Sequence, residues 1–406
     1  MYSLLLALIY LAFISLGLPD SLLGSAWPSM YPELCVPVSY GGVVSMIIAC
    51  GTVISSLNTN RVVTRFGTGL VTTISVLMTA IALFGFSFSR SFWMLCLWAI
   101  PYGLGAGAVD AALNNFVALN YASRHMNWLH CFWSFGASIG PYIMSYSLAV
   151  KNSWENGYVT VALIQITLTA VLFFSLPIWR KQEQTRKADQ TGTSRHLSVA
   201  EALKIKGVKE TIMSFVAYSG VETTTGLWAS SYLVLHRGID VEAAARWASL
   251  FFLGITIGRF LSGFVSDRLG DRNMIRIGMA VITVGLMAVV LPIQINVVPL
   301  VGLLMIGLGC APIYPSIIHQ TPANFGEENS QAIIGIQVAS AYVGSTFMPP
   351  IFGLLTSLTT IAIFPAYLGL FLVLMLAVTE RLNRLAAYPV CSQPLRELTD
   401  SYTPGK

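Results

Sequence analysis

The sequence predicts an all-α membrane protein with twelve transmembrane helices in two pseudo-symmetric six-helix bundles. Three observations lead there: a composition poor in charge, twelve apolar windows of spanning length, and an ordered internal duplication. Of 406 residues, 55 % are hydrophobic and 10 % charged, with a mean hydropathy of +0.70. Soluble domains carry roughly 25 % charge, so an ordinary soluble enzyme, a disordered chain and a nucleic-acid binder are excluded. The six cysteines (Cys35, Cys50, Cys96, Cys131, Cys310, Cys391) show no paired spacing. They read as buried free thiols rather than a disulfide framework or zinc site.

A helix crossing ~30 Å of hydrocarbon needs about 20 mostly apolar residues. Such windows fall at 3–27, 39–58, 68–87, 91–117, 128–149 and 157–179 (spans 1–6), then at 211–235, 244–264, 273–291, 296–318, 330–355 and 359–380 (spans 7–12). Span 1 lacks a basic lead-in and exceeds a signal-peptide core, so it reads as a retained helix. Spans 2 and 3 are rich in Ser, Thr and Gly. The division expected is 1–179 for an N-terminal bundle, 180–209 for a cytoplasmic linker, 210–381 for a C-terminal bundle and 382–406 for a cytoplasmic tail.

Basic residues set the orientation. The linker holds Arg180, Lys181, Arg186, Lys187, Arg195, Lys204, Lys206 and Lys209. If it is cytoplasmic, both termini are too, and that side also gains Arg61, Arg65, Arg124, Arg268, Arg272, Arg276, Arg381, Arg384, Arg396 and Lys406. The outer side keeps only Arg90, Lys151, Arg237 and Arg246. This is a strong positive-inside pattern, and it explains the net charge of +5 without an acidic partner.

The halves echo each other. Gly17, Asp20, Gly24 and Trp27 of span 1 match Gly220, Glu222, Gly226 and Trp228 of span 7. Arg65-Phe-Gly67 matches Arg268-Leu-Gly270, Gly103-Leu-Gly105 matches Gly307-Leu-Gly309, and Gly136 with Pro141 matches Gly344 with Pro349. Six-plus-six repeats about an axis along the membrane normal are a transporter architecture, with substrate bound between halves near mid-membrane.

The most specific motif follows span 8: Gly263-Phe-Val-Ser-Asp267-Arg268-Leu-Gly270-Asp-Arg272. It fits Gly-x-x-x-Asp-Arg-x-Gly-x-Arg/Lys, and through it the chain resembles the major facilitator superfamily and its fold. The first-half equivalent, Asn58 to Gly67, keeps Arg65 and Gly67 but has Thr64 in place of the acid. The resemblance implies gating by Arg65, Gly263, Asp267, Arg268, Gly270 and Arg272, the acid capping a helix or pairing with arginine when the cytoplasmic side is closed. Three further segments resemble the fucose–proton symporter family and its hexose-transporting relatives. They are Pro19-Asp20-Ser-Leu22, Asp110-Ala-Ala-Leu-Asn114-Asn115-Phe116, and Asn127-Trp-Leu-His130-Cys-Phe-Trp-Ser134-Phe-Gly136. Asp110 stands for that family's Glu, Asn115 for a proline and His130 for a glutamine.

Three acids lie deep inside spans: Asp20, Asp110 and Glu222. A carboxylate at that depth costs a few kcal/mol and usually faces a cavity or partner. Its proton affinity changes with solvation and neighbours, which a proton-coupled carrier needs. The resemblance implies proton coupling and substrate binding at Asp20 and Asp110. Glu222 joins them as a coupling candidate by depth alone, and a local structural role competes. Arg259, the one Lys or Arg well inside a span, either pairs with a cavity acid or reaches for the cytoplasmic surface.

An uncharged sugar needs paired donors and acceptors, for which Asp20, Asn114, Asn115, His130 and Gln337 are candidates. Sugar C–H faces pack on aromatic rings, for which Trp27, Trp133, Trp228 and Tyr314 are candidates. Trp27 leads because helical spacing sets it on the Asp20 face. Helix packing competes for every aromatic. Gly136-Ala-Ser138-Ile-Gly140 spells a hydrolase pattern but sits mid-helix with no strand-to-helix elbow. Gly136-x-x-x-Gly140-Pro141 partly matches a span-5 motif of drug–proton antiporters.

The expectation is therefore a transporter, not an enzyme. It imports a sugar or similar small polar solute with protons by alternating access. The alternative is a proton-driven efflux antiporter for drugs or metabolites. It needs no cofactor beyond the proton gradient, with Na⁺ as a second coupling-ion option, and no nucleic acid. It works as a monomer in the lipid bilayer of the cytoplasmic (inner) membrane.

Overall fold

The computed structural model describes residues 2–37, 40–151, 153–189, 197–239, 241–291 and 297–387. Residues 190–196 of the expected linker and 388–406 of the expected tail lie outside the described residues, with Arg195, Arg396 and Lys406. So do the side chains of Arg186, Lys187 and Arg246. Among the described residues all regular structure is helical. Span 1 comprises helices Tyr2–Asp20 and Leu22–Glu33. Spans 2–6 are Tyr40–Phe66, Thr68–Ser87, Phe92–Asn120, Ser123–Lys151 and Trp154–Asp189. Spans 7–9 are Val208–Arg237, Val241–Leu269 and Asp271–Val290. Span 10 comprises Val297–Cys310 and Ile313–His319, span 11 is Glu327–Leu358 and span 12 is Phe364–Ala387. Several helices outrun their apolar windows because polar residues extend them past the hydrocarbon; span 2 continues to Phe66.

Among the described residues ten helices are long and apolar enough to cross a membrane. Spans 5 and 7 fall short of that average, and the reason is chemical. Span 5 buries Asn127, His130 and Ser134, and span 7 buries Ser219, Thr224 and Thr225. Their polar stripes face protein rather than lipid. Outward faces elsewhere carry large apolar side chains, such as Trp93, Leu97 and Phe174.

Proline places the break in span 1. Pro19 has no N–H, so the Ser15 carbonyl loses its helical donor; the Gln165 side-chain amide of span 6 donates to it instead at 2.8 Å. Pro141 likewise frees the Ala137 carbonyl of span 5, and the Ser21 hydroxyl, at the break in span 1, donates to it at 2.7 Å. Buried backbone groups thus keep their partners. Gly136 and Gly140 sit where span 1 crosses span 5, and a Cβ there would overlap the Ile14 and Leu18 carbonyls. Close helix crossing, rather than a nucleophile, accounts for that glycine pattern.

The duplication is geometric. Gly103 packs on span 2 at Ile48 and Gly105 on span 3 at Ser75. Their echoes Gly307 and Gly309 pack on span 8 at Phe251 and span 9 at Gly278. The halves meet along spans 2 and 11 and along spans 5 and 8. Asn115 Nδ2 donates to Gln331 Oε1 at 2.9 Å, and Ser330 Oγ to Asn115 Oδ1 at 2.5 Å. Ser123 Oγ donates to Asp271 Oδ1 at 2.5 Å, and Trp128 lies over Gly263. Together these contacts seal the bundle on the face where spans 4, 8 and 10 end.

Candidate functional site

A cavity of about 570 Å³ lies between the halves. Spans 1, 4, 5, 7, 8, 10 and 11 bring polar side chains to it: Asp20, Tyr102, Asp110, His130, Trp133, Glu222, Arg259, Tyr314 and Tyr342. Phe13, Leu16, Leu83 and Phe86 add apolar wall. Such a pocket, apolar with a few convergent polar groups, is typical of small-solute sites.

The break after Asp20 ends the first helix of span 1 at the cavity. Its Oδ1 accepts from the Tyr102 hydroxyl and its Oδ2 from the Trp133 indole N–H, each at 3.1 Å. Asp110 is nearly enclosed, at 7 % exposure. Its Oδ1 accepts from Asn114 Nδ2 at 2.7 Å. That bond turns Asn114 Oδ1 toward His130 Nε2, 3.1 Å away. Since Oδ1 only accepts, His130 carries its proton on Nε2. The His130 ring meets Tyr314 edge-on, with centroids 4.8 Å apart.

The second half answers with an ion pair. Arg259 Nη2 lies 3.4 Å from Glu222 Oε1, while Nη1 donates to Ser134 Oγ at 2.6 Å. The guanidinium sits over the Trp133 ring, 5.6 Å from its centroid. Trp133 therefore touches both charge clusters, Asp20 through its N–H and Arg259 through its face. Of the two options the sequence left for Arg259, the structure takes the cavity acid.

Several expected solute contacts stand elsewhere. Trp27 is buried against Gly41 of span 2, because the break at Ser21 ends the single helical face assumed for it. Trp228 donates to the Pro349 carbonyl at 3.0 Å and packs on Phe352. Asn115 joins the halves through Gln331 and Ser330, and Gln337 pairs with Thr321. Asn114 is fully buried behind Asp110. Tyr102 and Tyr342 line the cavity without having been singled out. Tyr102, Ala106 and Asp110 recur every fourth residue, a signal that was available in the sequence.

Of the charged residues expected at the gate, Asp267 crosses between the halves. Asp267 accepts from the Arg124 backbone N–H at 3.0 Å and pairs with Arg124 Nε at 2.9 Å. Asp271 takes Ser123 and His319 Nδ1, the latter at 2.6 Å, while His319 Nε2 reaches the Tyr121 carbonyl at 3.1 Å. Arg268 and Arg272 are exposed, and Arg65 lies over the neighbouring Phe66 ring. Among the described residues these three make no hydrogen bond or ion pair between the halves. Gly270 has φ +75° and starts span 9, and Gly263 gives Trp128 its seat.

The family model for the Major Facilitator Superfamily matches residues 9–245 and 211–387. The chain is 24 % identical over 250 residues to the glucose/mannose transporter of Bacillus subtilis, covering 60 % of this chain and 61 % of that protein. It is 25 % identical over 281 residues to the hexuronate transporter of Bacillus subtilis, covering 66 % of each. The matched segments thus span about three fifths to two thirds of these relatives' length. The Escherichia coli fucose:proton symporter superposes with a TM-score of 0.75 at 15 % identity, over 94 % of this chain and 98 % of that one. A proton:xylose symporter bound to 6-bromo-6-deoxy-D-glucose gives 0.70 at 12 % identity, over 94 % and 95 %. At such identities the structural likeness establishes the fold.

Proposed function

The chain belongs to the Major Facilitator Superfamily, and from that premise we propose that it is a proton-coupled symporter importing a neutral sugar by alternating access. It is a multi-pass membrane transporter, not an enzyme. In this reading it is a monomer that works in the cytoplasmic membrane with both termini inside. The sealed face is then the cytoplasmic one, and the cavity serves the outside.

One observation carries the reading: Asp20 and Asp110 share a largely apolar chamber in which the groups bound to them are neutral donors. A sugar hydroxyl entering beside Asp20 can donate to its carboxylate or to the Tyr102 oxygen, and it gains the Tyr102 or Trp133 hydrogen by replacing Asp20 as that donor's partner. In a chamber of low polarity a carboxylate without a cation favours its neutral form. Protonation from the outside then prepares Asp110 and Asp20 for solute, and wetting from the inside releases solute and proton together. The glucose/mannose transporter among the relatives supports a hexose.

Proteoliposomes loaded at pH 7.5 and diluted into pH 5.5 test it with radiolabelled glucose, mannose, fucose and xylose. Accumulation that a protonophore abolishes is expected for at least one. Asp110→Asn should keep solute exchange and lose accumulation. No flux across the panel removes the sugar assignment, and accumulation that follows Na⁺ instead removes the proton.

A further inference from the structure

Resting on the membrane orientation proposed above, we infer that His319 is a pH-sensitive clasp of the sealed face, holding the halves together while both its ring nitrogens carry hydrogen and letting go when the cytoplasm turns alkaline. The proton concerned does not travel with solute. His319 is outside the cavity lining, and its proton only sets whether the sealed face opens. Both ring nitrogens face acceptors: Nδ1 lies 2.6 Å from Asp271 Oδ2, and Nε2 lies 3.1 Å from the Tyr121 carbonyl oxygen. A carbonyl oxygen only accepts, and so does an ionised carboxylate. Asp271 Oδ1 already accepts from the Ser123 hydroxyl at 2.5 Å. Each ring nitrogen therefore needs its own hydrogen, and the imidazole that has two is the cation.

His319 and Asp271 belong to the second half, and Tyr121 and Ser123 to the first. The Nε2 bond is thus the one of the two ring bonds that crosses between halves. A ring that loses a proton keeps its N–H toward Asp271, because a carboxylate is a stronger acceptor than a carbonyl. It then turns a bare lone pair on the Tyr121 carbonyl, and the crossing bond becomes a repulsion. The side chains of His319 and Asp271 are 19 % and 14 % exposed, so water reaches the ring and exchanges the proton. The other charged neighbours leave this pairing intact. Asp267, at the end of span 8, acts on His319 through space but bonds Arg124 of span 5. His125 of span 5 bonds Tyr10 of span 1 and sets its ring against Tyr121 and Trp128. Arg268 and Arg272 are exposed. Span 7 meets span 10 deeper, where Phe215 and Tyr218 touch Tyr314. Cys310 lies deeper still, toward Glu222, and the turn of helix at Thr321–Phe325 has no titratable side chain. The contribution of His319 to the seal is therefore full at low pH and is lost as pH rises. In a proton importer this is a brake: acid that accumulates inside keeps the cytoplasmic face shut.

Spin labels at exposed positions 58 and 273, on the full chain in nanodiscs without solute, test this at pH 5.5 and pH 8.5. Asp20, Asp110 and Glu222 titrate in every variant, so the readout is the difference between variants. In the otherwise unmodified protein the open-to-sealed ratio should be at least about threefold higher at pH 8.5, from loss of one hydrogen bond to a charged group. His319→Gln, which cannot titrate, should already show at pH 5.5 the ratio that the histidine protein reaches at pH 8.5. His319→Arg, a fixed cation with donors for both acceptors, should stay sealed at both. A histidine that only fills space leaves the pH profile unaltered by either substitution. Coincident profiles for the three proteins, or a His319→Gln protein as sealed at pH 5.5 as the histidine one, overturn the inference. Absence of sugar uptake strikes the proposed symport alone, because these distances need no solute.

Discussion

Removing Asp267 should shift the protein toward the state open on its sealed face. The carboxylate accepts the Arg124 backbone N–H in the first turn of span 5 and pairs with the Arg124 guanidinium. The side chains are 31 % and 50 % exposed, so the ion pair is screened and contributes roughly 0.2–1 kcal/mol. An anion at a helix N-terminus adds about 0.3–1 kcal/mol. Asp267→Ala thus removes about 0.5–2 kcal/mol from the sealed state, and 1.4 kcal/mol is about tenfold in an equilibrium. The open-to-sealed ratio should rise about 2–30-fold. Spin labels at positions 58 and 273, exposed sites within span 2 and at the start of span 9, read the two populations as short and long distances. Asp267→Asn, which can still accept the N–H, should give a smaller rise. An unchanged ratio in Asp267→Ala means the seal is held by Asp271 and the Asn115–Gln331 contact, and the role given to Asp267 is withdrawn.

Other outcomes follow from the same contacts. Gly136→Val places a Cβ onto the Ile14 carbonyl, whereas a Cβ at Gly24 meets nothing within 4 Å. Thermal unfolding in detergent should show Gly136→Val destabilised by more than about 2 kcal/mol and Gly24→Ala unchanged. Trp228→Phe loses a bond to the Pro349 carbonyl outside the cavity, so its melting temperature should fall, by about 1 kcal/mol in stability, while KM holds. Tyr102→Phe loses a bond to Asp20 inside the cavity, so KM should rise severalfold with little thermal change.

The helices, their number and the pseudo-repeat were legible because the bilayer imposes length and apolarity on each span. Asp20, Asp110 and Glu222 stood out for the same reason: charge inside an apolar window is rare enough to be informative. Neutral polar residues inside spans carry a weaker signal. Asn115, Gln331 and Gln337 join helices, His130 lines the cavity, and sequence alone presents them alike. Trp27 was set on the Asp20 face by a continuous helical wheel, and Pro19 breaks the wheel. The Arg124–Asp267 and Arg259–Ser134 contacts link spans far apart in sequence, so nothing local could have announced them. In the span-8 loop motif the resemblance marked Asp267 and its basic neighbours alike as the latch; Asp267 makes a cross-half bond, Asp271 adds a second that was not singled out, and Arg268 and Arg272 make none.

Charge balance in the cavity bears on two solutes that the relatives raise, a neutral hexose and a hexuronate. Asp20, Asp110 and Glu222 face one chamber with Arg259, whose short bond already goes to Ser134. A uronate brings a further anion. At ~6 Å and an effective dielectric of about 20, each like pair costs about 3 kcal/mol. Protonating an acid relieves a pair, but that proton is then unavailable for coupling. Pairing the uronate with Arg259 instead takes the cation from Glu222 and Ser134, leaving a buried carboxylate uncompensated. Glucose should therefore stabilise the purified protein at a concentration at least tenfold below that needed for glucuronate, measured by thermal shift at pH 7.5. The preference should narrow at pH 5, where protonated acids no longer repel. Equal or tighter glucuronate binding at pH 7.5 means Arg259 is free to receive a carboxylate. That result contradicts the neutral-sugar assignment.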